Sequence, residues 1–369
     1  MKVVFDANPL IGQKTGVGYL TFSLIKALAK KYPNDLELVG HYFNFLNKKD
    51  TSELPVASNI RYKKTTLFPT KAVSVLRKFG IELPIEVFCR ENADTYLFTN
   101  FVSLPSIRHK RQVLFIHDLS FFDVPQYVST ANGVFLKRYV PKSIHRSSQI
   151  FTISNFSKKR IEQIYKPTTP VEIIPVPPEI RNEVDESIFS THSIPKDFIL
   201  FVGTLEPRKN LKTLLEAYKV IYEKTGVSLV LAGGKGWKDE DLVNMIKELQ
   251  KMNLPIVNTG YISDAQKTSL FKNTTLYIQP SLYEGFGMPI LESMSLGAPV
   301  LCSDLPVFRE VAEDSASYFD PTSSEDLTKK VVEIINSATL QKVMKKKGLA
   351  KISNYPTWDD VASHVFNKL

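Results

Sequence analysis

Short apolar runs alternate with longer amphipathic ones along nearly all 369 residues, and no other feature limits the fold so strongly. An apolar run of about four to eight residues bounded by Gly, Asn or Pro reads as a buried strand, whereas apolar residues at a 3.6 spacing read as a helix with one buried side. Strands are expected at residues 3–7, 36–43, 96–99, 113–117 and 150–154, and again at 198–203, 228–232, 256–260, 276–279 and 299–303. A helix is expected at 19–31. Leu211, Leu214, Leu215, Tyr218 and Tyr222 share one helical face, and Ser263 with Gln266 reads as a capping box. Strands alternating with helices imply parallel sheets covered on both faces. Pro175-Val176-Pro177-Pro178 interrupts the pattern, and prolines stiffen a connection and cannot join a central strand. The expected domains are therefore 1–178 and 179–356. A last run, 357–369, carries Trp358, Val361, Val365 and Phe366 at helical spacing.

The composition excludes several classes. Apolar content of 43% and charged content of 23% are those of an ordinary globular protein. Cys89 and Cys302 are too few for a disulfide framework, no apolar run reaches a membrane span, and the N-terminus is a strand interrupted by Asp6, not a signal peptide. A cytoplasmic protein is expected. Its charge is lopsided. Residues 1–178 hold 25 Lys and Arg against 13 Asp and Glu (+12), and residues 179–369 hold 22 against 25 (−3). The basic half suggests an anionic partner, with Lys63-Lys64, Arg77-Lys78, Arg108, Lys110-Arg111, Lys137-Arg138 and Lys158-Lys159-Arg160 as its cations. No nucleic-acid recognition motif accompanies them. Anionic lipid or a phosphorylated acceptor suits them better, so peripheral attachment to the inner membrane face is expected.

The chemistry is concentrated in a few strand-to-helix turns. Tyr283-Glu284-Gly285-Phe286-Gly287-Met288-Pro289-Ile290-Leu291-Glu292 puts one carboxylate at a strand's end and another on the next helix, whose first position Pro289 can take. The glycine turn between them directs backbone N–H groups outward at a helix N-terminus, where anions are favoured. Alone, a glutamate there serves the helix dipole and a glycine turn is a tight connection; together they offer hydroxyl acceptors beside a phosphate cradle. In Phe201–Leu211, Arg208 and Lys209 stand at the start of a helix, the end where cations oppose the dipole, so an anion shared by both is expected. A diphosphate fits, with Arg giving forked donors and Lys a point charge. Lys14-Thr15-Gly16-Val17-Gly18-Tyr19 lacks the third glycine of a dinucleotide fingerprint. His117 ends a strand, where an imidazole can face a cleft and donate to a sugar hydroxyl.

These segments resemble family 4 glycosyltransferases. Glu284 and Glu292 match their E-x7-E signature, Gly203–Leu211 closely resembles their G-T-L-E-P-R-K-N-L run, Gly16 and Gly18 match a G-V-G loop, and His117-Asp118-Leu119 an H-D-L segment. The resemblance covers nearly the whole chain, strongest at 198–312 and weakest at 44–95. It implies a GT-B fold: two facing doubly wound, Rossmann-like domains with an interdomain cleft, the terminal helix returning to the first. It also implies a retaining enzyme, and because no Asp-x-Asp motif stands at a strand end, no metal is expected. Arg208, Lys209 and the N–H groups of Gly285, Phe286 and Gly287 would meet the donor diphosphate, Glu292 the ribose, Glu284 the donor hexose and His117 the sugar and acceptor. Residues 233–237 would shape the nucleotide pocket, and Ile262 with its neighbours would lie against the base. The segment 117–123 looks most like mannosyltransferases of bacterial surface-polysaccharide assembly. GDP-mannose is thus the first expected donor, with UDP-hexoses next, and a glycan or lipid-linked acceptor is expected. A GT-B epimerase or phosphorylase and a non-catalytic nucleotide-sugar-binding protein are the alternatives.

Overall fold

The computed structural model describes residues 1–369 apart from 13–14, 67–72, 74, 78, 108–109, 180–182, 235 and 237–239. Lys14, Lys78, Arg108, Lys235 and Trp237 therefore lie outside the described residues. The chain forms two compact units. Met1–Asp123, Thr130–Val176 and Pro356–Leu369 make the first, and Val124–Ser129 with Pro177–Tyr355 make the second.

In the first unit, β1 (Lys2–Asp6), β2 (Glu37–Phe43), β3 (Ile60–Thr65), β4 (Thr95–Phe98), β5 (Arg111–Phe115), β6 (Gln149–Thr152) and β7 (Val171–Ile173) form one sheet. Its order is β3-β2-β1-β4-β5-β6-β7, and every pairing is parallel. The middle strands are apolar along their length because helices cover both faces; Val3, Phe5, Val113, Leu114, Ile150 and Phe151 are all buried. The second unit repeats the plan with β8 (Phe198–Val202), β9 (Ser228–Ala232), β10 (Ile256–Gly260), β11 (Leu276–Gln279), β12 (Val300–Ser303) and β13 (Ser317–Phe319), ordered β10-β9-β8-β11-β12-β13 and again parallel. Its core packs Leu211, Leu214, Leu215 and Tyr218 of the Leu211–Thr225 helix against Phe201, Leu229 and Leu231 of the sheet. Each such side chain contributes about 1.5–3 kcal/mol by leaving water.

The strands that the apolar pattern did not mark, β3, β7 and β13, are all at sheet edges. An edge strand is covered on fewer sides and carries charge to block further pairing, so β3 reads Ile-Arg-Tyr-Lys-Lys-Thr with no fully buried residue. The first long helix runs Gly16–Lys31, three residues earlier than expected.

The last segment packs on the first unit. Val361, Ala362 and Val365 of the Trp358–Phe366 helix are buried, Phe366 stacks on Tyr32 at 3.8 Å between centroids, and Thr95 Oγ1 donates to the carbonyl of Leu369 at 2.7 Å. Strand order reverses between β1 and β4 in one sheet and between β8 and β11 in the other. Open parallel sheets bind ligands beyond the carboxyl ends of strands at such reversals.

Candidate active site

Beyond the β8–β11 reversal the chain makes three turns. After β8, Gly203 leads to Glu206, which precedes the short 3-10 turn Pro207–Lys209; Asn210 then enters the left-handed region (φ 56°) and opens the Leu211–Thr225 helix. The loop after β9 lies so close that a Cβ on Gly233 (φ 155°) would stand 1.9 Å from the Gly203 carbonyl oxygen, so no larger residue fits. After β11, residues 280–286 lead to Gly287 (φ 125°), from which the Met288–Ser295 helix begins. Pro289 sits at the second position of that helix, one later than expected, and Phe308 crowds the place a Gly287 Cβ would take, at 3.0 Å.

These turns bring Arg208, Lys209 and Glu284 into direct contact. Arg208 Nη1 donates to Glu284 Oε2 at 2.7 Å and to the Tyr283 carbonyl at 3.0 Å, while Lys209 Nζ donates to Glu284 Oε1 at 2.6 Å. The shared anion expected for the two cations is thus present within the chain as Glu284. Ser281 Oγ donates to the same Oε1 at 2.8 Å, and Gln279 Nε2 lies 3.3 Å from it. Glu284 is 9% exposed. Burial alone would raise its pKa, but the Arg208 and Lys209 charges and the hydrogen bonds from Lys209 and Ser281 hold it down at about 2. It is a carboxylate fixed in its charged form.

Glu292, on the Met288–Ser295 helix, has a different partner: Lys267 Nζ donates to its Oε1 at 2.9 Å and lies 3.4 Å from Asp264. Burial works against the Lys267 charge, yet the two carboxylates raise its pKa overall. Ile262 is half-buried between exposed Tyr261 and Ser263, which makes the expected capping box with Gln266. Phe286 is buried at 8% exposure.

The remaining candidates stand in the first unit. Gly16 opens the Gly16–Lys31 helix with open space where a Cβ would project, and Gly18, two residues on, is buried. His117 departs from expectation. It is buried at 5% exposure, its Nε2 lies 2.7 Å from the Thr99 carbonyl, and its ring meets Phe101 edge-on. A carbonyl only accepts, so Nε2 carries the proton and Nδ1 the lone pair; burial lowers the pKa and keeps the ring neutral. In this tautomer Nδ1 can only accept a hydrogen bond, where donation had been expected.

Sequence reasoning missed Glu206, Gln279, Ser281 and Lys267. Gln279 gave a signal, a polar residue closing an otherwise apolar strand. Glu206 and Ser281 stand two and three residues from Arg208 and Glu284, where only the folded turns show which way they point, and Lys267 reaches Glu292 from a helix 25 residues away.

Residues 184–351 match the family model described as Glycosyl transferases group 1. An O-antigen chain mannosyltransferase B from Escherichia coli is 25% identical across 100% of this chain and 99% of that protein. An O-antigen chain mannosyltransferase, RfbU, from Salmonella typhimurium is 25% identical over 84% of each chain. A serotype-specific mannosyltransferase of Escherichia coli is 26% identical over 48% of this chain and 22% of its own length. Among solved structures, the sucrose-phosphate synthase of Thermosynechococcus elongatus aligns with a TM-score of 0.73 at 14% identity, covering 100% of this chain and 98% of that one. WaaG, a glycosyltransferase involved in lipopolysaccharide biosynthesis, aligns at 0.71 and 13%, covering 100% and 99%. The fold, the family match and the full-length likeness agree: the chain has the GT-B fold, matches the group 1 glycosyl transferases over residues 184–351, and is similar to mannosyltransferases of bacterial O-antigen assembly.

Proposed function

We propose that the protein is a retaining hexosyltransferase that moves mannose from GDP-mannose to a glycan or lipid-linked acceptor in cell-surface polysaccharide synthesis. The observation that carries this reading is the Arg208–Lys209–Glu284 cluster beside a glycine turn at the β8–β11 reversal. Its support is a full-length likeness to an O-antigen chain mannosyltransferase. Arg208 and Lys209 take the donor diphosphate with the N–H groups of Gly285, Phe286 and Gly287, and neutralise it as it leaves. Glu284, relieved of its cations by the incoming phosphates, accepts hydroxyls of the hexose, and Glu292 those of the ribose. The acceptor oxygen attacks C1 from the face the diphosphate leaves. The C1–O bond to the diphosphate breaks, the new C1–O bond forms, and the acceptor proton passes to the leaving oxygen. His117 Nδ1 steadies a sugar hydroxyl.

A lipid-linked acceptor would bring the first unit to an anionic membrane surface. Among the described residues no helix is long and apolar enough to cross a membrane. The structure narrows the cations that could act there. Arg77 is buried over the Phe135 and Tyr139 rings, Lys63 lies 3.4 Å from Glu91, and Arg160 pairs with Asp123. Lys64, Arg111, Lys137, Arg138 and Lys159 are exposed. Each is worth about 1 kcal/mol near an anionic leaflet, within a Debye length of about 8 Å.

The test incubates the protein with GDP-mannose or UDP-glucose, with and without membrane extract as acceptor source, and follows nucleoside diphosphate release and the product's anomeric signal by NMR. GDP released only with acceptor, with an axial linkage, is expected. Release of UDP alone would replace the donor, release without acceptor would favour an epimerase or phosphorylase, and an inverted linkage would remove the front-face mechanism.

A further inference from the structure

Glu206 has no role so far, yet it holds the far side of the Arg208 guanidinium. Its Oε1 accepts from Arg208 Nη2 at 2.8 Å, and both side chains are 19% exposed. The opposite nitrogen, Nη1, is bonded to Glu284 and the Tyr283 carbonyl. The fork is thus gripped from two directions. Glu206 and the cation pair also ride on one stiff turn, because the Glu206 carbonyl accepts from the Lys209 N–H at 2.9 Å and Pro207 fixes φ between them. The Leu282 N–H, donating to the Arg208 carbonyl at 2.9 Å, ties this turn to the loop after β11.

We propose that Glu206 is a positioning residue that fixes the Arg208 fork and limits how tightly a nucleoside diphosphate is held, so that the product can leave. This rests on the reading of Arg208 and Lys209 as the diphosphate site. Among Glu206, Arg208, Lys209 and Glu284 the charges balance, two positive against two negative. When Glu284 turns to the hexose, Glu206 and the Tyr283 carbonyl keep the guanidinium in plane. Its negative charge, a few ångströms behind the fork, meanwhile repels the phosphates that the fork attracts. A weaker grip on the product favours turnover wherever release is slow.

Two substitutions separate the two effects. Glu206→Gln keeps a carbonyl oxygen for Nη2 and removes the charge, whereas Glu206→Ala removes both. Calorimetry with GDP and UDP, beside steady-state kinetics, reads the outcome. Glu206→Gln is expected to bind the diphosphate at least threefold more tightly than wild type while kcat falls. Glu206→Ala is expected to lose at least tenfold in kcat/KM with its thermal midpoint retained. A residue of purely structural importance would weaken binding in both, so the opposite sign in the Gln variant is the signature. Wild type binding a diphosphate with Glu206→Gln within twofold of it, or weaker, overturns this inference alone. Wild type binding neither GDP nor UDP overturns the diphosphate site itself, and this inference with it.

Discussion

At corresponding places in two like sheets, the chain has buried ionisable groups and driven them in opposite directions. At the end of β1, Asp6 accepts from the Asn8 N–H and side-chain amide, and just beyond β5 His117 meets the carbonyl of Thr99, which follows β4. Burial raises the Asp6 pKa and lowers that of His117, each toward its neutral form. Beyond β8 and β11, Glu284 is buried as well, yet its pKa falls to about 2 because two cations touch it. Desolvation is common to both ends, and the neighbours decide the sign. The same architecture therefore holds its ionisable groups neutral at one sheet and fixes one in its charged form at the other.

The sharpest way to break this contrast is Glu284→Gln. It removes the charge that the second unit has fixed, so turnover should fall roughly 100-fold or more, as when one aligned transition-state contact is lost. Nucleoside diphosphate affinity should hold or tighten, because Arg208 and Lys209 lose a competitor. Calorimetry beside initial rates measures both, and an equal loss in each would place Glu284 on the nucleotide instead. Arg208→Ala comes next. A charge-assisted contact of about 1.5–3 kcal/mol disappears, or roughly 10–100-fold in diphosphate Kd. Unchanged GDP and UDP affinity would take the phosphate away from this turn.

In the first unit, His117→Ala should lower turnover about tenfold while GDP binding stays, since a neutral acceptor supplies one ordinary hydrogen bond. Normal turnover would make His117 a structural histidine. Smaller still, Ser281→Ala removes one hydrogen bond of about 1 kcal/mol from Glu284, for roughly a fivefold fall in turnover with diphosphate Kd unmoved. A shift confined to the diphosphate Kd would show that Ser281 serves the cations.

The contrast also predicts how acid unfolds the protein. His117 has a folded pKa below its ordinary 6.5, so its neutral packing is lost progressively as pH falls below about 6.5. Glu284 is depressed from an ordinary 4.5 to about 2, so its stabilisation is complete above pH 4.5 and is lost as pH falls from there toward 2. Urea titrations across this range should show stability falling in both windows. His117→Gln should flatten the upper one and Glu284→Gln the lower. A lower window unchanged in Glu284→Gln would assign the acid step to other carboxylates.

The sequence alone determined most of the secondary structure, and with it the parallel, doubly wound class, because strands buried on two faces must be apolar throughout. It did so least well at β3, β7 and β13, where an edge removes that requirement. It also marked Arg208, Lys209, Glu284 and Glu292, because the cation pair at a helix start and the two carboxylates flanking a glycine turn occur together, in a pattern that resembles a family signature. What it could not determine was who pairs with whom. Arg208 and Glu284 lie 76 residues apart, and Lys267 and Glu292 25 apart. Only the closing of the sheet, with β8 beside β11, sets Arg208 and Glu284 at bonding distance, and only the packing of two helices does so for Lys267 and Glu292. Likewise the strand end at His117 was visible, but its direction was not: the Thr99 carbonyl, delivered by the neighbouring strand, fixes the proton on Nε2 and leaves Nδ1 to accept. A side chain's identity is local, while its partner, and therefore its charge and its role, is a property of the fold.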